Sequence, residues 1–360
     1  MKFYCVLFDS MPFYDKLIDI SKEKGLDFHH QISNSFTFTS VFSLLTGYLP
    51  SQVFNNGFGY NSEPDVLKRS DIQLFEKLDR EKWKIYLHNS VWIENVIFNK
   101  FKLDRTSGIE LDGSGEKTGI WTDKKTQDLL CHFSEESLKM TEREINHIKK
   151  IQKNKSELNE FHFIIYHHHH EATNTDLENF SHLDESIFKI IDAWDFEEED
   201  SVFWFFSDHG NFKKIDKFNS PPHAWTTWVL SKDNIKNRKS NHGLISILDF
   251  IPSFCEEFGI DKQNDWMGQS IYDQFNKERT FFLEDSRAQY DLYNSTTSCA
   301  ISCKEWENNM PLKIEQTSYF LNENNFKSIN FNYKSREIFN GNVEFFDSHV
   351  NKMKNIFKWM

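Results

Sequence analysis

Four short apolar runs stand out against a polar background: residues 3–8, 83–87, 161–166 and 202–206. They are nearly continuous rather than alternating, which predicts strands buried on both faces. Stretches with helical spacing lie between them, at residues 72–78, in the charged run from Lys124 to about Lys155, and at 181–194. Residues 244–258 continue the pattern as a further helix, with Pro252 predicting a kink or a break. Strands alternating with helices predict an α/β fold with a mostly parallel central sheet and helices on both faces. After about residue 262 the strand candidates become shorter and more polar, as at 279–283 and 328–333, which predicts a small C-terminal subdomain. The expected division is a catalytic domain over 1–262 and a C-terminal subdomain over 263–360 packed on the same core. No internal repeat and no Gly/Ser/Pro-rich linker marks a boundary.

Each apolar run gives way to residues that can bind a metal or a proton. Asp9 comes directly after the first, His88 and Asn89 after the second, His167 to His170 after the third, and Asp208 and His209 after the fourth. Parallel strands bring such residues to one edge, and open α/β sheets bind ligands beyond the carboxyl ends of their strands. A lone Asp after a strand is ordinarily a turn or capping residue, and a lone His an ordinary surface or core residue. Several Asp and His residues gathered on one edge instead match what a divalent cation requires.

Composition narrows the partners. The chain has 360 residues, a formal charge of -13 and 36 phenylalanines, so its core is aromatic in style and its surface field is negative. That balance argues against a nucleic-acid groove, which needs clustered Lys and Arg. An anionic substrate would need a local attraction, and a bound cation supplies one. No run approaches the roughly 18 apolar residues of a membrane span, and the opening "MKFYCVLFDS" lacks the form of a signal peptide. The five scattered cysteines form no zinc pattern, and the expectation is a reduced, cytoplasmic protein of open oligomeric state.

Residues 31–50 read "QISNSFTFTSVFSLLTGYLP". Hydroxyl residues at Ser35, Thr37, Thr39 and Ser40 crowd before Val41–Thr46, which reads as a short apolar helix ending at Gly47. Thr39 or Ser40 suits a helix cap. A nucleophile here would also gain from the helix N-terminus, where free N–H groups favour an alkoxide and an incoming anion.

With Asp9 after the first strand, Thr37 ten positions before Gly47 of "SLLTG", and "SDHG" at 207–210, the chain resembles the sulfatase and alkaline phosphatase superfamily. "SILDFIPSFCEEFGI" at 246–260 is similar to the helix sulfatases place after that motif; "GQSI" (268–271), "FFLED" (281–285) and "CAIS" (299–302) are weaker matches in the C-terminal part. The resemblance spans most of the chain. Sulfatases carry Cys or Ser in a Cys-x-Pro-x-Arg setting, whereas this chain reads Thr37-Phe38-Thr39-Ser40-Val41, and Ser10 stands where a second Asp is usual. Threonine at the nucleophile position is used by the nucleotide pyrophosphatase/phosphodiesterase and phosphoglycerol-transferase branches.

The resemblance implies that Asp9, Thr37, Asp208 and His209 surround one divalent ion, with a second ion open. The mixed carboxylate and imidazole set favours Zn²⁺ or Mn²⁺ over Ca²⁺. Thr37 is then the expected nucleophile, His170, His223 or His242 protonates the leaving oxygen or completes a second metal site, and Lys213 or His242 contacts the anion. The expected activity is metal-dependent hydrolysis of phosphate mono- or diesters, on a small anionic ester or glycan-linked substrate. The alternatives are a sulfuric ester hydrolase, a transferase moving a phospho-substituted group onto a glycan, and a catalytically silent binding protein; the complete set of ligand candidates speaks against the last.

Overall fold

The computed structural model describes residues 1–34, 37–53, 74, 77–78, 83–88, 109–111, 134–166, 181–210, 227–286, 296–307, 310–320, 325–332, 338–339 and 344–356. In chain order the first part comprises β1 (Lys2–Phe8), α1 (Asp15–Lys24), β2 (Asp27–Ile32), α2 (Thr37–Thr46), α3 (Pro50–Val53), β3 (Lys84–His88), β4 (Ile109–Leu111), α4 (Ser134–Lys153) and β5 (Glu160–Tyr166). It continues with α5 (Ser181–Asp192), β6 (Ser201–Phe206), β7 (Thr227–Asp233), β8 (Leu244–Ser246) and α6 (Phe250–Phe258). The C-terminal part holds β9 (Thr280–Ser286), β10 (Thr296–Glu307), β11 (Met310–Phe320), β12 (Asn325–Asn332), β13 (Ile338–Phe339) and α7 (Phe346–Ile356).

The main sheet has eight strands in the order β4-β3-β5-β1-β6-β7-β2-β8. Every neighbouring pair is parallel except β6/β7 and β7/β2, so β7 alone runs against the rest. β1 is central, flanked by β5 and β6, and its register pairs Val6 with Ile164 on one side and Phe205 on the other.

Strand alternation explains why the apolar runs are unbroken. Phe3, Cys5 and Leu7 of β1 join Phe161 and Phe163 of β5 and Trp204 and Phe206 of β6 on one face, beneath α2 and α6. Tyr4, Val6 and Phe8 join Ile164, Phe203 and Phe205 on the other, beneath α1, α4 and α5. Each such side chain contributes about 1.5–3 kcal/mol on burial, so one layer of helices on each face is what these strands require. An aromatic ladder crosses four strands at one register: Tyr86 over His162 at 4.7 Å, His162 over Tyr4 at 5.1 Å, and Tyr4 over Phe203 at 5.2 Å.

β9–β13 form a second, antiparallel sheet, with α7 packed on it. Phe282, Ala300, Tyr319 and Met353 from this part lie in the same buried cluster as β1 and α6. Among the described residues no helix is long and apolar enough to cross a membrane.

The expected single helix over 244–258 is corrected. Leu244–Ser246 is a strand paired with β2, Ile247–Asp249 is a 3₁₀ turn, and only Phe250–Phe258 is α-helical. The Ser246 side chain accepts from Leu248 N, and Asp249 Oδ2 accepts from Ser246 N, so the sequence caps itself at the break. Pro252 is the third residue of α6, where its missing N–H is one that no helix would bond, so it produces no break. β2, β4, β7, β10, β11 and β13, which no apolar run announced, complete the two sheets.

Candidate active site

The carboxyl ends of β1, β2 and β6 meet at one place on the sheet edge. Asp9 continues β1, and its N–H donates to the Tyr166 carbonyl at 2.9 Å, so the strand pairing itself holds its backbone. Asp208 and His209 follow β6, while Ser33 and Asn34 follow β2 and lead into α2. α2 starts at Thr37 rather than Val41, which makes the threonine its first helical residue, and it stops at Gly47, which takes φ +75°. Asn34 ties down the segment before the helix: its amide donates to Thr39 O at 2.8 Å and to Ser43 Oγ at 2.9 Å, and its Oδ1 accepts from Glu284 N at 2.8 Å.

Asp9, Asp208 and His209 are fully buried, and one potential ligand atom from each lies within 4.8 Å of the others. His209 Nε2 is 3.7 Å from Asp9 Oδ1 and 3.6 Å from Asp208 Oδ2. Its Nδ1 lies 2.8 Å from the Gly210 carbonyl, an acceptor only, which places the proton on Nδ1 and the lone pair of Nε2 toward the cluster. Thr37 Oγ1 is 3.1 Å from that same Nε2 and 3.5 Å from Asp9 Oδ1.

The Asp208 carboxylate is anchored on one oxygen and open on the other. Oδ1 accepts from Ser10 N at 3.0 Å and His209 N at 2.9 Å. Oδ2 is buried with no hydrogen-bond partner among the described residues. Burial raises the carboxyl above its ordinary range and the facing Asp9 carboxylate adds to that, while His209, Thr37 and the Ser10 N–H pull the other way. Two buried carboxylates, an imidazole lone pair and an alcohol with one carboxylate oxygen open are a donor set that fits a divalent cation, and the imidazole suits Zn²⁺ or Mn²⁺ better than Ca²⁺.

A layer of small polar residues supports the cluster. The Asp208 carbonyl accepts from Ser33 Oγ and from Ser40 Oγ, the latter at 2.9 Å, and the two hydroxyls are 3.1 Å apart. Ser207 Oγ donates to His209 O at 2.7 Å, and the Gln31 amide donates to Ser207 O at 2.9 Å. Thr39 and Ser40, the two capping candidates, both lie inside α2, and Ser40 instead links the helix to the β6 end. Ser33 was not singled out from sequence, and Ser207 entered only as the first letter of "SDHG" with no role of its own; each is a small polar residue directly after a strand.

Of the candidates named from sequence, the fold gathers Asp9, Thr37, Asp208 and His209. His170, His223 and Lys213 lie outside the described residues. His242 is not brought to the cluster. It precedes β8, which runs parallel to β2, so it sits at the amino end of the strands while the cluster sits at their carboxyl ends. There its Nε2 pairs with Asp273 O at 3.1 Å and its carbonyl with His29 Nδ1 at 2.5 Å, a structural role.

No family model matches the chain, and no curated protein matches it by sequence. Solved structures do match in shape. A protein in the alkaline phosphatase superfamily from Vibrio parahaemolyticus gives a TM-score of 0.61 at 11% identity, covering 99% of this chain and 85% of that one. A 2-O GAG sulfatase gives 0.58 at 10% identity, covering 99% and 91%. The phosphonate monoester hydrolase of Agrobacterium radiobacter gives 0.54 at 8% identity, covering 99% and 95%. The chain thus has an alkaline-phosphatase-like fold over nearly its whole length.

Proposed function

We propose that the chain is a metal-dependent hydrolase of phosphate mono- or diesters with Thr37 as its nucleophile. The observation that carries this reading is the position of the Thr37 hydroxyl. It opens α2, 3.1 Å from His209 Nε2, against the buried Asp9–Asp208–His209 cluster. An alcohol placed between a helix N-terminus and a cation site is arranged to become an alkoxide and to receive an anion.

Asp9, Asp208 and His209 would hold the ion, with Thr37 Oγ1 beside them. When bound, it lowers the pKa of the threonine hydroxyl and neutralises charge on the phosphoryl oxygens. Thr37 Oγ1 gives up its proton to solvent and bonds to phosphorus as the ester P–O bond breaks, the ester oxygen departing with the electron pair and taking a proton from the acid. Water then breaks the Thr37–phosphorus bond, releasing phosphate or a phosphomonoester and returning a proton to Oγ1. His170 or His223 is proposed as the acid for the leaving oxygen, and Lys213 as a contact for the anion. Ser10 N and His209 N hold the Asp208 carboxylate in place throughout. The substrate class is a small anionic ester, free or glycan-linked.

The likeness to a sulfatase keeps sulfuric ester hydrolysis as the second reading, but the Thr37–Val41 segment has no cysteine to convert and no adjacent proline or arginine. Transfer to an alcohol acceptor would share the first half-reaction. The test is metal analysis of protein purified without chelator, followed by nitrophenyl phosphate, bis-nitrophenyl phosphate and nitrophenyl sulfate assays of wild type and Thr37→Ala, with and without an added glycan alcohol. Turnover of the phosphate esters that requires Thr37 is the expected result. Turnover of the sulfate alone, or an active Thr37→Ala enzyme, would overturn it.

A further inference from the structure

Ser10 hydrogen-bonds both carboxylates of the cluster. Its N–H donates to Asp208 Oδ1 at 3.0 Å, its hydroxyl donates to Asp9 Oδ1 at 2.9 Å, and that hydroxyl oxygen is 3.4 Å from His209 Nε2. The residue is fully buried and takes φ +62°, a left-handed backbone that serine seldom adopts. Asp9 and Asp208 come from different strands, and nothing in the pairing of β1 with β6 orients their side chains. Left alone in a buried place, two carboxylates repel and turn apart.

The geometry points to Ser10 as a positioning residue that locks Asp9 and Asp208 into cation-receiving register, its amide fixing one carboxylate and its hydroxyl the other. This rests on the metal-centre reading given above. The strained backbone explains how one residue reaches both acids: the left-handed turn aims the N–H across to β6 while the side chain stays over β1. A hydroxyl in this place also orients Asp9 without adding a third negative charge. Two carboxylates with a neutral alcohol balance one divalent ion.

Ser10→Ala and Ser10→Gly keep the backbone N–H and remove the hydroxyl, so the two parts separate experimentally. Full-length protein stripped of metal would be titrated with Zn²⁺ and with Mn²⁺ by calorimetry, for wild type, Ser10→Ala and Ser10→Gly. Partners of this kind typically account for 10- to 100-fold in metal affinity, and a loss of about that size is expected in both variants. Ser10→Gly accepts the left-handed backbone freely, so its urea midpoint without metal should equal or exceed that of wild type while its affinity falls. Wild-type affinity in both variants would overturn the inference, because a residue serving only the turn would move the metal-free midpoint and nothing else. Asp208→Ala and His209→Ala distinguish the two levels. If they abolish uptake while the Ser10 variants bind normally, only the role of Ser10 fails; if they bind normally, or wild type takes up no ion, the metal centre fails and this inference with it.

Discussion

Thr37 Oγ1 lies 3.1 Å from His209 Nε2, although 172 positions separate the two residues in the chain. The contact exists because α2 enters from the end of β2 and His209 hangs from the end of β6, with β7 between those strands. An alcohol, a carboxylate pair and an imidazole are thereby collected at one strand edge, and the nucleophile assignment depends on that meeting.

Substitution of Thr37 tests it directly. Thr37→Ala should lower phosphate-ester turnover by at least about 10³-fold, since the attacking oxygen is gone. Thr37→Ser keeps the oxygen and should retain measurable activity. Circular dichroism should show both variants folded. Mass spectrometry of wild type with a slow substrate should find a phosphoryl group on Thr37; its appearance on Thr39 or Ser40 would refute the assignment.

Ser40→Ala should cost more than a helix cap. Its hydroxyl bonds the Asp208 and Asn34 carbonyls, at 2.9 and 3.2 Å, and touches Ser33 Oγ. Loss of a buried donor of this kind costs about 1–3 kcal/mol. The denaturation midpoint should fall accordingly and metal affinity should drop with it, since Asp208 loses part of its anchorage. An unchanged affinity would confine Ser40 to folding.

Gly268, the first residue of "GQSI", predicts a steric failure. A Cβ there would stand 1.9 Å from the Leu248 carbonyl oxygen, in the turn that leads into α6. Backbone atoms must move to admit it, and Gly268→Ala should destabilise by about 3 kcal/mol. A variant that melts with wild type would show that this turn yields easily.

Stability should fall on mild acidification. Burial depresses His29 and His349 from their ordinary value to about 4. Between about pH 6.5 and the folded value the unfolded chain binds more protons, so stability rises with pH. The contribution is complete above the unfolded pKa and is lost as pH falls toward 4, with a slope of at most about 1.4 kcal/mol per pH unit for fully buried His29. Urea midpoints at pH 7.5 and 5.0 measure it, and His29→Gln should flatten the dependence. An equally steep slope in that variant would locate the effect elsewhere.

The middle of the sheet and the residues that end its strands were legible in the chain without any neighbour. Phe3–Phe8 and Val202–Phe206 are apolar at every position because each strand of a doubly covered sheet buries both faces, and such a run is visible by itself. Asp9, Asp208 and His209 were legible because they are the first acidic or imidazole residues after an apolar run, where the strand ends. The helix stop at Gly47 was legible for a local reason as well, the left-handed backbone it requires.

The remainder depends on the assembled fold. β2 reads Asp27-Phe28-His29-His30-Gln31-Ile32, a poor strand on pattern; it is buried because His29 and Gln31 find partners 213 and 176 positions away. Leu244–Ser246 has the spacing of a helix and becomes a strand because β2 offers it an edge. The same parallel register carries His242 to the far end of the sheet. Ser33 is an unremarkable letter, and Ser10 and Ser40 show nothing of the bonds they make to Asp9 and Asp208, until the ends of β1, β2 and β6 converge. Periodicity records how a segment meets water or core, whereas a hydrogen bond between distant segments is recorded in neither of them alone.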